Sequence, residues 1–233
     1  MILIKDYVEK KKKMLEKSFS YQKSIYRKNN NGKGDIILHI IQVGNNQASN
    51  AYIKGKVKDA KDLGVSIDLI KYPENVDERE FFKDLNVLET CIIHNNKLEG
   101  IIVQLPLPKH LSQNIKINKE VDVDGFALDS LVNPCTPQGI INYLKYNKID
   151  IDGKNAVIIG RSNIVGKPMA KLLLNENANV TILHSHTKEE DLKNYIKNAD
   201  IIVCAVGKRN FLNKFLKYKK EAVIIDVGIN RDE

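Results

Sequence analysis

A tyrosine and a lysine four positions apart form the first residue pair in the chain that could move protons. Tyr52 and Lys56 lie in the segment S-N-A-Y-I-K-G-K, and this spacing places them on one face of a helix. Short-chain dehydrogenases use such a pair, but after their nucleotide-binding glycines, whereas here the pair precedes Gly160 by more than a hundred residues. That order argues against that family. A surface lysine beside a packed tyrosine is the non-catalytic alternative.

Two further polar segments follow predicted strands. Gln104 ends a short apolar run, and V-D-V-D-G brings in Asp122 and Asp124. Open α/β sheets bind ligands beyond the carboxyl ends of their strands, so these side chains are candidates for a binding site. The two aspartates do not predict a calcium loop, because Asn133 stands where an EF-hand needs its bidentate glutamate.

A glycine loop in the second half of the chain indicates a nucleotide. In I-I-G-R-S-N-I-V-G-K-P a predicted strand ends at Gly160 and a helix opens near Gly166, so backbone N–H groups at the helix start could meet a phosphate. The motif is not G-x-G-x-x-G, and a tight turn without ligand is the alternative. NAD enzymes place a carboxylate at the end of the next strand, but this strand ends at His184-Ser185-His186. Arg161 and Ser185 could instead bind a 2′-phosphate, which favours NADP over NAD.

The histidines and cysteines do not predict a metal site. His184 and His186 would alternate onto one strand face, but two histidines without a third ligand make a poor site. Cys91, Cys135 and Cys204 lie far apart with no C-x-x-C pair, so neither a zinc ribbon nor a disulfide framework is expected. A reducing compartment is the simplest interpretation.

Strand and helix patterns alternate along the whole chain, which predicts an α/β fold with parallel sheets. In the first half, strands are predicted at Asp35 to Val43, Ser66 to Lys71 and Gly100 to Val103, with helices at Ala48 to Leu63 and Val76 to Asn95. In the second half, strands are predicted at Ala156 to Gly160, Asn179 to His184, Ile201 to Val206 and Ala222 to Val227, with helices at Gly166 to Glu176 and Glu189 to Asn198. The second half has the doubly wound pattern of a Rossmann-like domain.

The segment N-P-C-T-P-Q-G is a stiff connector between two predicted domains, residues 1–137 and 138–233. Thr136 is a plausible N-cap with Pro137 at the first helical position, so the connector should lead directly into a helix. A chain of 233 residues is long enough for two such domains.

The positive charge is concentrated at the start of the chain. The net charge is +8, and residues 1–34 hold ten lysines and arginines against three acidic residues. Ile4, Val8, Leu15, Phe19 and Ile25 recur at helical spacing, so the segment is predicted to be an amphipathic helix whose lysines face solvent. A nucleic-acid-binding module would need aromatic platforms within the positive surface, and the sequence has no Trp and no aromatic cluster there. No apolar run has the roughly 18 residues of a membrane span.

Six segments together carry a family resemblance. They are V-G-N-N-Q-A-S-N-A-Y-I-K-G-K, G-I-I-V-Q-L-P-L-P, V-D-V-D-G, N-P-C-T-P-Q-G, G-R-S-N-I-V-G-K-P and D-V-G-I-N. In order and spacing the chain resembles the bifunctional methylenetetrahydrofolate dehydrogenase/cyclohydrolase family from about residue 35 to residue 230. The resemblance implies an N-terminal catalytic lobe, a C-terminal NADP-binding lobe, a folate cleft between them, a homodimer and a cytoplasmic location, with an organellar one left open.

The resemblance also implies two reactions and a set of site residues. Hydride passes from 5,10-methylenetetrahydrofolate to NADP⁺, and water then converts the methenyl product to 10-formyltetrahydrofolate. Lys56 matches the family's essential lysine, Tyr52 the tyrosine that stacks on the folate, Gln104 the glutamine that hydrogen-bonds the lysine, and Asp124 the aspartate that binds the pterin. Ser49 and Leu105 are further substrate-binding candidates. The cofactor-binding candidates are Gly160, Arg161, Ser162, Val165, Gly166, Ser185, Thr136 and Ile229.

The chain departs from the family at its end. It stops at Asp232-Glu233, whereas the resemblance implies several dozen further residues, which form a loop beside the folate cleft and a final helix. The cleft is therefore expected to be incomplete. The alternative function is a truncated, inactive relative that binds NADP or a partner. A monofunctional dehydrogenase is less favoured, because Lys56 and Gln104 are both present.

Overall fold

The computed structural model describes residues 4–29, 35–95, 98–113, 115–127, 129–207, 211–212 and 217–227. The chain separates into two compact units, Met1–Val132 and Asn133–Glu233. The division falls at the first residue of the N-P-C-T-P-Q-G segment. No helix in these described ranges is long and apolar enough to cross a membrane.

The first unit is a three-stranded parallel sheet with helices. Its elements are α1 (Ile4–Asn29), β1 (Ile37–Val43), α2 (Gln47–Leu63), β2 (Ser66–Tyr72), α3 (Glu78–His94) and β3 (Glu99–Val103). The strand order is β2-β1-β3, and both pairs are parallel. Parallel strands require crossover connections, which α2 and α3 supply. Alternate side chains of β1 and β3 pack against α3 in a core that includes Ile41, Phe81 and Ile101.

The second unit is a four-stranded parallel sheet. Its elements are α4 (Cys135–Tyr146), β4 (Asn155–Ile159), α5 (Gly166–Asn175), β5 (Asn179–Leu183), α6 (Glu189–Asn198), β6 (Ile201–Cys204) and β7 (Val223–Asp226). The strand order is β5-β4-β6-β7. Since the chain leaves β4 for one neighbour and later returns to the other, the carboxyl end of β4 is the topological switch point at which such sheets bind ligands. The predicted doubly wound α/β class is confirmed.

Two details of the predicted elements are wrong. Thr136 is not an N-cap, because α4 begins at Cys135 and the amide of Gln138 already donates to Pro134 O at 3.0 Å. Pro137 is therefore the third helical residue, where a missing N–H still costs no intrahelical bond. The strand β5 ends at Leu183, so the two histidines that follow it do not alternate on a strand face.

The N-terminal helix α1 is present as predicted, but its apolar face is only partly covered. Tyr7 is buried, whereas Val8, Leu15 and Ile25 are each more than 40% exposed. The lysines of α1 are not all simply solvated, because Lys12 forms an ion pair with Asp59 of α2.

A buried histidine joins all three strands of the first sheet. His39 of β1 is 7% exposed. Its Nδ1 lies 2.9 Å from a carboxylate oxygen of Asp68 on β2, and its Nε2 lies 2.8 Å from one of Glu99 on β3. The two carboxylates satisfy a polar side chain that burial would otherwise penalise.

Candidate functional site

Helix α2 presents Lys56 to two acceptors that come from distant parts of the first unit. Asn46 caps the helix by accepting a hydrogen bond from the Ser49 amide, which is the usual role of asparagine at this position. From this fixed start, Lys56 Nζ donates to Gln104 Oε1 at 3.2 Å and lies 3.8 Å from Asp124 Oδ2. The lysine side chain is 29% exposed and the aspartate 17%. The amine is thus partly shielded but accessible.

The carbonyl oxygen of Leu105, just after β3, accepts hydrogen bonds from two polar side chains of the site. Gln104 and Ser49 are both buried, at 8% and 2% exposure. Both donate to Leu105 O, the Gln104 amide at 2.9 Å and the Ser49 hydroxyl at 3.0 Å. The Gln104 backbone amide also donates to Ile41 O at 2.8 Å. Gln104 therefore has its amide group oriented so that its oxygen meets Lys56.

Tyr52 lies one helical turn before Lys56 on α2, as the four-residue spacing predicts. Its side chain is 46% exposed. An exposed tyrosine ring beside a partly shielded amine offers a flat apolar surface together with a hydroxyl group. The pair, with Gln104 and Asp124, could therefore hold an aromatic ligand while the amine handles protons at its reacting atom.

In the second unit, two glycines allow the loop after β4 to fold tightly on itself. Gly160 has a φ of 117°, and a Cβ there would lie 2.7 Å from Ala205 O. A Cβ on Gly166 would lie 2.3 Å from Gly160 O and 2.8 Å from Arg161 Cα. The Gly160 amide also donates to Leu183 O at 2.8 Å, which ties the loop to the carboxyl end of β5. Neither position tolerates a side chain.

Gly166→Ala is expected to destabilise the second unit by about 3 kcal/mol, because the new methyl group would overlap backbone atoms that have no room to move. Chemical denaturation of the variant and the parent chain measures the difference. Gly139→Ala is the matched control: Gly139 lies in α4, and a Cβ at that position would meet nothing within 4 Å, so alanine there should stabilise by ~0.5–1 kcal/mol. Equal stabilities for the two variants would contradict the packing argument.

The polar residues of this loop suit an anionic ligand. Ser162 Oγ accepts hydrogen bonds from the amides of Val165 at 3.2 Å and Gly166 at 3.3 Å, and its hydroxyl hydrogen is still able to donate. Arg161 and Ser185 are exposed, and they follow the adjacent strands β4 and β5. Phosphate oxygens would meet a guanidinium, hydroxyl groups and the start of α5.

Two other cofactor candidates do not belong to this loop. Thr136 is exposed in the first turn of α4. Ile229 lies outside the described residues.

The turn after β5, residues 184–187, contains no carboxylate. His184 N donates to Thr187 Oγ1 at 2.9 Å, and Thr187 N returns a bond to His184 O at 2.8 Å. His186 N donates to His184 Nδ1 at 3.2 Å, which occupies that ring nitrogen. In the ranges that the structure describes, no group of three or more histidine, cysteine or acidic side chains could hold a metal ion.

Cys204, at the end of β6, is a buried thiol and a poor nucleophile. None of Cys91, Cys135 and Cys204 is in a disulfide. Burial raises the pKa of the Cys204 thiol at the end of β6, and the neighbouring Asp226 carboxylate acts in the same direction. A thiol held in its neutral form is unreactive.

Family models match both units. The model "Tetrahydrofolate dehydrogenase/cyclohydrolase, catalytic domain" covers residues 5–124, and "Tetrahydrofolate dehydrogenase/cyclohydrolase, NAD(P)-binding domain" covers residues 134–233. The chain belongs to the tetrahydrofolate dehydrogenase/cyclohydrolase family. The resemblance inferred from the six segments is therefore confirmed.

Individual members of the tetrahydrofolate dehydrogenase/cyclohydrolase family are similar along most of the chain. The bifunctional protein FolD of Listeria innocua is 47% identical over 210 residues, which are 84% of this chain and 71% of that protein. The bifunctional enzyme FolD from Campylobacter jejuni has a crystal structure with a TM-score of 0.81, 36% identity and coverage of 95% of this chain and 80% of that one. The Trypanosoma brucei enzyme, solved with NADP cofactor and inhibitor, has a TM-score of 0.79, 28% identity and coverage of 93% and 76%.

Two features of this family member's site were not predicted from the sequence. The first is the proximity of Lys56 to Asp124, which were assigned separate tasks. The second is the direction of the Ser49 hydroxyl, which is buried against Leu105 O and so supports the loop. The one sequence signal for this role of Ser49 was a polar side chain on the face of α2 that is otherwise buried.

Proposed function

We propose that the chain oxidises 5,10-methylenetetrahydrofolate with NADP⁺ and hydrolyses the 5,10-methenyl product to 10-formyltetrahydrofolate. The observation that carries this proposal is the position of Lys56 Nζ, between an amide oxygen at 3.2 Å and a carboxylate oxygen at 3.8 Å, in a chain of the dehydrogenase/cyclohydrolase family. NADP⁺ supplies the hydride acceptor when it is bound.

The residues of the first unit fit the two reactions. The exposed ring of Tyr52 can stack on the folate ring system, and Asp124 can accept hydrogen bonds from the amino and ring N–H groups of the pterin. In the hydrolysis, water adds to the methenyl carbon and loses one proton, which leaves a hydroxyl group on that carbon. The hydroxyl then loses its proton as the bond from the carbon to N5 breaks, so that N10 keeps the formyl group and N5 takes up a proton. We assign these proton transfers to Lys56, and the hydrogen bond of its amine to Gln104 at 3.2 Å supports this assignment.

The proposal is tested by two assays on the chain. Formation of methenyltetrahydrofolate is followed with NADP⁺ and then with NAD⁺, and the hydrolysis of methenyltetrahydrofolate is followed separately against its uncatalysed rate. Catalysis of both steps is expected. Hydride transfer without hydrolysis would indicate a monofunctional dehydrogenase, and binding of NADP without either step would indicate the inactive relative. The comparisons do not support that inactive alternative.

The cofactor preference has its own prediction. Arg161→Gln is expected to raise the KM for NADP⁺ about tenfold and to leave the KM for NAD⁺ nearly unchanged, because only NADP⁺ carries the 2′-phosphate that a guanidinium would bind. The matched control is Lys171→Gln, which removes an exposed positive charge from α5. If the KM values for NADP⁺ and NAD⁺ rise equally in Arg161→Gln, Arg161 does not bind the 2′-phosphate.

Assembly and location belong to the same proposal. A homodimer in the cytoplasm is what the family resemblance supports, with folate as the small-molecule substrate and with neither nucleic acid nor membrane as a partner. Sedimentation of the purified chain measures directly whether it forms a homodimer.

A further inference from the structure

The first aspartate of V-D-V-D-G differs from the second in its surroundings. Asp122 is 4% exposed. Its Oδ1 accepts hydrogen bonds from the backbone amides of Asp124 at 3.2 Å and Gly125 at 2.9 Å, and its Oδ2 accepts one from the amide of Ala127 at 2.8 Å. Both carboxylate oxygens are therefore committed to the backbone of the segment that carries Asp124.

The same segment is also fixed from the side of the sheet. Asp122 forms an isolated parallel bridge with Ile101 of β3, and the Ile101 amide donates to Val121 O at 2.8 Å. Val123 packs over Gly100 so closely that a Cβ on that glycine would lie 2.4 Å from the valine side chain. The backbone up to residue 123 is thus docked on β3, and beyond it Asp122 supplies the hydrogen bonds.

Asp124 lies at the junction of these two supports. Its own carboxylate is 3.8 Å from Lys56 Nζ, and its amide is one of the three that Asp122 holds. Residues 124–127 are in no helix or strand, so no ladder of main-chain hydrogen bonds fixes them. A carboxylate that accepts hydrogen bonds from three backbone amides takes the place of such a ladder over one short turn.

We infer that Asp122 is a positioning residue for the folate-binding reaction, which acts by holding Asp124 opposite Lys56. This inference rests on the proposed function. Asp122 does not itself touch the substrate, because its oxygens are buried and already engaged with three amides. Its replacement leaves Lys56 and Gln104 in place but lets the turn that carries Asp124 move.

Asp122→Asn is the informative substitution because it keeps the size of the side chain. An amide has one acceptor oxygen and one donor nitrogen, so at least one of the three backbone N–H groups loses its partner. Such a loss in a buried site corresponds to about a tenfold change in the equilibrium it supports. The matched control is Asp129→Asn, in the same stretch of chain, whose side chain is 73% exposed and 3.8 Å from Lys119 Nζ.

The first measurement is the affinity for methenyltetrahydrofolate in two backgrounds. Asp122→Asn is expected to weaken binding about tenfold in the parent chain and less than about twofold in the Asp124→Ala background, since coupled residues are not additive. Asp129→Asn should change neither. An equal loss in both backgrounds would overturn the inference, because a general structural defect acts whether or not Asp124 is present.

The second measurement needs no ligand and separates this inference from the proposed function. Amide hydrogen exchange at Gly125, at Ala127 or at both is expected to be about tenfold faster in Asp122→Asn than in the parent chain, with the core strands of the same unit unchanged. Unchanged protection at these amides would overturn the inference even if the chain is active. Should the parent chain fail to bind folate, the proposed function fails, and this exchange measurement still decides the role of Asp122 in holding the turn.

Discussion

Lys56→Met is expected to abolish the hydrolysis of methenyltetrahydrofolate while NADP binding is retained. Methionine is unbranched and nearly as long as lysine but has no ionisable group, and the acceptors on Gln104 and Asp124 then have no amine between them. Positioned general acid–base groups contribute about 10²–10⁴-fold to a rate, so the remaining catalysed rate should be close to the spontaneous one. The decay of methenyltetrahydrofolate, corrected for the uncatalysed reaction, measures the effect.

The control for this substitution lies on the same helix. Lys54 is exposed on α2, two residues before Lys56 and therefore on a different face. Lys54→Met removes the same charge from α2 and should leave the hydrolysis rate within about twofold, as expected for a surface change away from the reaction. A Lys56→Met variant that hydrolyses at the parent rate would refute the assignment of the catalytic lysine.

Asp124→Ala should weaken the binding of the folate substrate by about 2 kcal/mol, or roughly thirtyfold in Kd, since hydrogen bonds to a charged group are among the stronger ones. The affinity for NADP⁺ should not change, because the glycine loop belongs to the other unit. Titration of the variant with methenyltetrahydrofolate and with NADP⁺ tests both statements.

A second substitution that removes a negative charge tests whether the loss of folate affinity comes from Asp124 itself or from the change in net charge. Asp129→Ala removes a mostly exposed carboxylate from the same segment of the chain, and surface charges contribute little. It should leave the folate affinity unchanged. Unchanged affinity in Asp124→Ala as well would remove Asp124 from the site.

The strands and most helices followed from local sequence pattern. Short apolar runs rich in Val and Ile gave β1, β3 and β6 to within a few residues, because burial on both faces selects these side chains. The start of α4 did not follow, since Thr136 has the better capping chemistry but the first helical hydrogen bond already reaches Pro134 O. The strand β5 ends one residue before the predicted end for a similar local reason: the His184 amide donates its hydrogen bond to the Thr187 hydroxyl.

The site could be predicted from spacing only in part. The shared face of Tyr52 and Lys56 is a consequence of helical geometry. The contacts of Lys56 with Gln104 and Asp124 join residues about 50 and 70 positions apart, and no local rule relates them. The family resemblance supplied these residues, and the structure supplied the proximity of the amine to the carboxylate. The role of Asp122 followed from neither spacing nor resemblance and was found only in the structure, because its hydrogen-bond partners are backbone amides.

The histidine that joins the first sheet has a bearing on how such an enzyme can change over time. His39 links β1 to both neighbouring strands in their amino-terminal halves, whereas Gln104, which accepts the hydrogen bond from Lys56, directly follows the carboxyl end of β3. The side-chain contacts that join the three strands are therefore separate from the contacts that hold Lys56. Substitutions around Lys56 can change the site without removing the hydrogen bonds that His39 makes between the strands.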